Sequence, residues 1–199
     1  MINFIISVFL LLITPGPGVL STAGVGAAYG RMVGIRYVIG LFIGTNLVAL
    51  AVVSGLAALI FSIPWLRTVL LIASALYLLT LAARIGLSGS KIAFIEAQKK
   101  PGIVDGVLLQ TINPKAYAVN TTLFSGFAFD ADSLLLETIV KFLIINAIWI
   151  PIHLLWLSGG IALKKLALSD HTQRLINYAM AAAMLGVVVL ALYSASSTF

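Results

Sequence analysis

Six apolar runs, at about 2–22, 36–62, 65–87, 104–128, 134–163 and 173–197, take up most of this 199-residue chain. Each is close to or above the roughly 20 helical residues that cross a hydrocarbon core of about 30 Å. With 61% hydrophobic and 9% charged residues, the chain lacks the polar surface that a soluble domain of this size needs. The pattern predicts an all-α integral membrane protein of six transmembrane helices, a single domain over 1–199, with any functional site inside the bilayer. No Lys or Arg precedes the first run, so it reads as a span and not as a secretory signal, which would carry a positive leading region. The absence of cysteine excludes disulfides and thiol redox chemistry.

The placement of charge predicts orientation. Arg31 and Arg36 follow the first run. Arg84, Lys91, Lys99 and Lys100 flank the connection after the third, and Lys164, Lys165 and Arg174 the connection after the fifth. The other connections carry only Arg67 at an edge, or Asp130 and Asp132 with Glu137 just beyond. The positive-inside rule puts the basic connections in the cytoplasm and both termini outside it. Topology accounts for the basic clusters, so no nucleic-acid partner is expected. Three spans per half with this orientation make two inverted repeats, one at about 1–87 and one at about 104–199, joined by a basic cytoplasmic loop at about 88–103. Pro15 and Pro114, Asn46 and Asn146, and Tyr77 and Tyr178 recur at offsets near 100 and agree with that division.

Two proline-broken stretches sit at matching places in the halves: Thr14-Pro15-Gly16-Pro17-Gly18 and Asn113-Pro114-Lys115. Proline removes a backbone N–H, so Pro15 and Pro17 are expected to free the carbonyls of Leu11 and Ile13, and Pro114 that of Gln110. Each break also reads as a helix start, with Thr14 or Asn113 as cap and Pro15 or Pro114 at the first position. Broken helices in corresponding halves are the sequence pointer to a transporter binding site. Both second half-helices would start near the midplane, so two positive dipole ends converge there with the charge of Lys115. Such a site suits a carboxylate, and freed carbonyls nearby suit an ammonium group. The expected substrate-binding residues are Thr14, Pro15, Gly16, Pro17, Gly18, Asn113, Pro114 and Lys115, with the intramembrane amides Asn46 and Asn146. Asn46, Asn120 and Asn146 also read as interhelical glue, and Lys115 also reads as a lysine that snorkels to the interface. His153, the intramembrane group with a reference pKa near neutrality, is the candidate proton relay.

The acidic residues all fall near span ends or in loops, so a cationic substrate would find no counter-charge and neutral amino acids are expected. No metalloprotease motif, nucleophile elbow or close carboxylate pair is present, and His153 with His171 cannot form a metal site alone. No enzyme, cofactor or metal is expected. The spacings Gly30-x3-Gly34 and Gly40-x3-Gly44 read as close-packing devices.

Thr14-Pro15-Gly16-Pro17, Gly30-Arg31-x-x-Gly34 with Gly40 and Gly44, Leu76-Tyr77-Leu78-Leu79, and Asn113-Pro114-Lys115-Ala116 resemble the lysine-exporter family, and within it the homoserine/threonine-resistance branch of amino-acid efflux permeases. The likeness runs over about residues 1–127. It implies a bacterial inner-membrane exporter of amino acids or derivatives, driven by the proton-motive force and acting as an oligomer such as a homodimer. The family usually has Asn where this chain has Gly18, and runs more apolar where this chain has Tyr117, Asn120, Thr121 and Thr122. Those departures imply an altered pocket. The expected function is secondary export of neutral amino acids or similar zwitterions, the partners being a small-molecule substrate and the lipid bilayer. A passive small-solute channel and a non-transporting membrane scaffold are the alternatives.

Overall fold

The computed structural model describes residues 1–56, 100–127, 133–165 and 169–196, with scattered positions between 62 and 83. The expected third span at 65–87, the basic loop at 88–103, Tyr77, Asp130 and Asp132 fall wholly or largely outside the described residues. Within them the regular structure is all helical: α1 (Ile2–Ile13), α2 (Pro17–Tyr29), α3 (Arg31–Val53), α4 (Ile103–Ile112), α5 (Pro114–Ser125), α6 (Leu134–Lys165) and α7 (Asp170–Ser196). Among the described residues α3 and α6 are each long and apolar enough to cross a membrane, and α1 with the start of α2 makes a third such unit, bent by 51° at its break.

The proline stretches place the breaks. Residues before proline are pushed out of the helical region. Thr14 accordingly has φ −58° and ψ 126°, and Gly16 is fully extended before Pro17. Asn113 before Pro114 is extended as well. Each break divides its pair into nearly equal arms, 12 and 13 residues in the first, 10 and 12 in the second.

Two expected boundaries move. The first broken unit runs to Tyr29, beyond the expected end at 22, and α3 starts at Arg31, before the expected 36. The cause is Gly30, whose φ of 78° lets it end one helix and start the next without a loop. Arg31 and Arg36 therefore lie in the first turns of α3.

α3 packs chiefly on α4, and α2 chiefly on α6. Glycines allow both approaches. A side chain at Gly40 would run into the Ile103 carbonyl, one at Gly44 would meet Gln110 Cβ at 2.7 Å, and one at Gly106 would meet the Tyr37 carbonyl at 2.5 Å. Gly160 leaves the same kind of room for the backbone of Ala23. The Gly40 and Gly44 pair acts as the close-packing device that its spacing implies.

Among the described residues two buried apolar clusters result. Phe4, Val8, Val119, Leu123 and Ile145 join α1, α5 and the first half of α6. Val25, Tyr37, Val38, Leu41, Leu109, Trp149 and Leu157 join α2, α3, α4 and the second half of α6. The breaks lie between the two.

Candidate functional site

The two breaks meet. Lys115 Nζ donates to the Thr14 carbonyl over a hydrogen bond of 2.5 Å that spans 101 positions of sequence. Its side chain lies across Gly16, where an added Cβ would be 2.8 Å from Lys115 Cδ and 3.1 Å from Nζ. The ammonium therefore reaches the break in the other half of the chain instead of running along its own helix to an interface. Gly16, Pro17, Gly18 and Val19 at the start of α2 and Asn113, Lys115 and Ala116 at the start of α5 line one cavity of about 50 Å³. Both helix N-termini thus face one space, as expected from the sequence. A volume of that size holds a few waters and is too small for an amino acid.

The breaks differ in how they are capped. Thr14 does not cap α2 as expected, because its hydroxyl turns back and donates to the Leu10 carbonyl at 2.6 Å. Gly16 takes the cap position and has no side chain to fill it. The first backbone bond of α2 runs from the Leu20 N–H to the Gly16 carbonyl, leaving the Gly18 and Val19 amides as orphan donors at the helix start. Asn113 does cap α5, accepting from the Lys115 N–H at 3.1 Å. The Gln110 carbonyl, expected to be free, accepts from the Asn113 N–H at 3.2 Å in a tightened last turn. Of the carbonyls at the breaks, Thr14 is the one in use between the halves.

A buried polar chain fixes the far wall. Gln110 Nε2 donates to Thr45 Oγ1, and Asn113 Nδ2 donates to Gln110 Oε1 at 2.9 Å. His153, almost fully buried, stacks on Trp149 with ring centroids 3.5 Å apart, and its Nδ1 lies 2.9 Å from the Trp149 carbonyl. A carbonyl can only accept, so Nδ1 carries the hydrogen and Nε2 presents its lone pair. Gly18 is held from below by Ser21 and Thr22, whose hydroxyls both donate to its carbonyl.

Asn46 and Asn146 are not brought to the cavity. They exchange two side-chain hydrogen bonds with each other, of 3.1 and 2.9 Å, where α3 meets α6. Of the polar face expected on α5, Asn120 is buried on the cavity wall, with Nδ2 donating to the Ala116 carbonyl. Tyr117 turns to the Thr111 carbonyl, and Thr122 is exposed. Gln110, Thr45 and Trp149 were not anticipated. Their signal was spacing: Gln110 lies one turn before Asn113, Trp149 one turn before His153, and Thr45 directly before Asn46.

A family model for the LysE type translocator matches residues 9–195. The chain belongs to that family. Neither the curated proteins nor the solved structures compared with the chain give a match. LysE type translocators are transporters, which suggests movement of amino acids or similar solutes across a membrane. The match spans both breaks, the cavity between them and all of α3 to α6.

Proposed function

We propose that this translocator is a secondary exporter of neutral amino acids or similar small zwitterions from the cytoplasm, the homoserine/threonine-resistance branch being the nearest in kind. The observation that carries the reading is the hydrogen bond from Lys115 to the Thr14 carbonyl, which joins a helix break of one half to that of the other across a cavity. A substrate carboxylate entering there would draw the ammonium off the carbonyl and also meet the orphan amides of α2. Among the described residues no Asp or Glu lines the cavity, which favours neutral over cationic side chains. His153 and Lys115 are the titratable groups among the described residues of its wall, and His153 is the candidate carrier of a coupled proton.

Inverted repeats supply the movement. Residues equivalent by a two-fold relation meet each other where the axis passes, and Asn46 with Asn146, 100 positions apart, are bonded reciprocally. Rocking of one repeat against the other would then open the cavity to each side in turn. The setting is a bacterial inner membrane with both termini outside the cytoplasm.

The test is release of amino acids from cells preloaded with dipeptides, with and without this protein, followed by mass spectrometry of the medium. Faster release of one or a few neutral amino acids, lost in a stably inserted Lys115→Ala protein, is the expected result. Unchanged release of every amino acid, or release that never saturates and ignores the proton gradient, would overturn the reading.

A further inference from the structure

The cavity wall that includes Lys115 also carries two acceptors, on Gln110 and His153. The orientation of the Gln110 amide follows from the backbone. The Lys115 N–H can only donate, so the atom of Asn113 that it meets is Oδ1 and the other is Nδ2; Nδ2 can only donate, so the atom of Gln110 it meets is Oε1. His153 Nε2 is a bare lone pair, because Nδ1 holds the hydrogen against the Trp149 carbonyl. Among the described residues no fully enclosed side-chain nitrogen or oxygen lacks a partner. Nε2, which has no protein partner, therefore opens on the cavity that His153 lines.

Gly18 lies beside both atoms. A Cβ built there would lie 3.5 Å from Gln110 Oε1 and 3.5 Å from His153 Nε2, which is ordinary contact, and the backbone at Gly18 is not in the left-handed region. Neither packing nor backbone conformation demands glycine at this position. What its missing side chain does is leave two acceptors uncovered, two residues along the chain from the Gly16–Lys115 crossing.

We propose that the hollow beside Gly18, walled by His153 Nε2 and Gln110 Oε1, is the ammonium subsite of the cavity and selects substrates that carry a primary amine next to their carboxylate. The inference rests on reading the cavity as a substrate site. Two acceptors take two N–H bonds of an ammonium, and Lys115 and the start of α2 line the same cavity, where the neighbouring carboxylate of an α-amino acid would be met. An ammonium N–H and a transported proton exclude each other at Nε2, the atom that an exchanger of one for the other would need.

The experiment measures binding to the purified full chain in lipid nanodiscs, using L-alanine against L-lactate and L-leucine against L-2-hydroxyisocaproate, pairs that differ in an amine replaced by a hydroxyl. Wild type is expected to prefer the amino acid of at least one pair by about tenfold or more. His153→Phe keeps a ring on Trp149 and removes the lone pair; Gly18→Ala covers both acceptors without a clash. Each should bring the preference close to one, with the melting temperature retained. A preference unchanged in both variants overturns the subsite. So does equal loss of both ligands from a folded protein. Failure of wild type to bind any of the four compounds overturns the reading of the cavity itself, and the subsite with it.

Discussion

Lys115 is half-buried, and two contacts, with the Thr14 carbonyl and over Gly16, define what it can tolerate. A charge-assisted hydrogen bond to a carboxylate contributes about 1.5–3 kcal/mol, so Lys115→Ala should weaken substrate binding by roughly tenfold to hundredfold. Calorimetric or scintillation binding to the purified protein measures this, and an affinity equal to wild type would remove Lys115 from the site. Gly16→Ala acts on the same contact from the other side. Its Cβ would meet Lys115 Cδ at 2.8 Å, and a flexible side chain gives way more readily than backbone. The lysine should leave the Thr14 carbonyl and transport should fall, while the melting temperature stays within a few degrees of wild type. A large drop in melting temperature would instead mean that Gly16 serves packing. The breaks carrying these residues were legible in the sequence because proline chemistry is local. Which residue caps α2 was not, since two prolines in three positions delay the helix start to Pro17. For Gln110, Thr45 and Trp149 the spacing to Asn113, Asn46 and His153 is visible in the sequence, but it gives no direction until the rotation of each helix is known.

At the level of elements, α3 and α6 are joined by the amide pair Asn46–Asn146 within an otherwise apolar contact. Interhelical hydrogen bonds in membrane proteins average about 0.6 kcal/mol and reach about 1.7 kcal/mol. Asn46→Ala and Asn146→Ala should each lower stability by about 1 kcal/mol, and the double variant should lose less than their sum. Thermal denaturation in detergent gives the cycle, and strict additivity would mean that the pair does not form. Because the pair lies off the cavity wall, substrate affinity should hold in the folded variants. A second polar contact joins α6 to α1 and α5. Glu137 and Lys141 form a buried ion pair of 2.7 Å, one helical turn apart, with Lys141 Nζ also donating to the Phe124 carbonyl at 3.0 Å and lying 5.9 Å from the Phe4 ring centre. From the sequence alone Glu137 falls among the charges beside a loop. Its spacing to Lys141 was visible, but its burial depends on α1 and α5 closing over the start of α6. Removing one partner of a buried pair costs about 3–5 kcal/mol, so Lys141→Met should destabilise the protein strongly, and Glu137→Met with Lys141→Met should recover most of the loss. A stable Lys141→Met protein would show the pair to be screened.

Taken whole, the described residues place a small cavity between two apolar plugs, one built on α1 and α5 and the other on α2, α3 and α4, with α6 contributing to both. Val8 and Leu123 sit in the plug of α1 and α5, on the side where the chain begins; Val25 and Leu41 sit in the plug of α2 and α3. All four are buried, so passage of a solute requires each plug to part. In the proposed orientation the first plug closes the outer side and the second the cytoplasmic side. The chain has no cysteine, so single Cys replacements at these positions report access without background. Alternating access predicts that Val8→Cys and Leu123→Cys react with a membrane-impermeant thiol reagent added outside, and Val25→Cys and Leu41→Cys with reagent added to inside-out vesicles. Saturating substrate should change the two rates in opposite directions, because opening one plug requires the other to close. Reactivity of both pairs from the same side at once would indicate a continuous pore and favour a channel over a carrier. Exchange of the two sides, with opposite responses retained, would keep the carrier and reverse the orientation drawn from the basic connections.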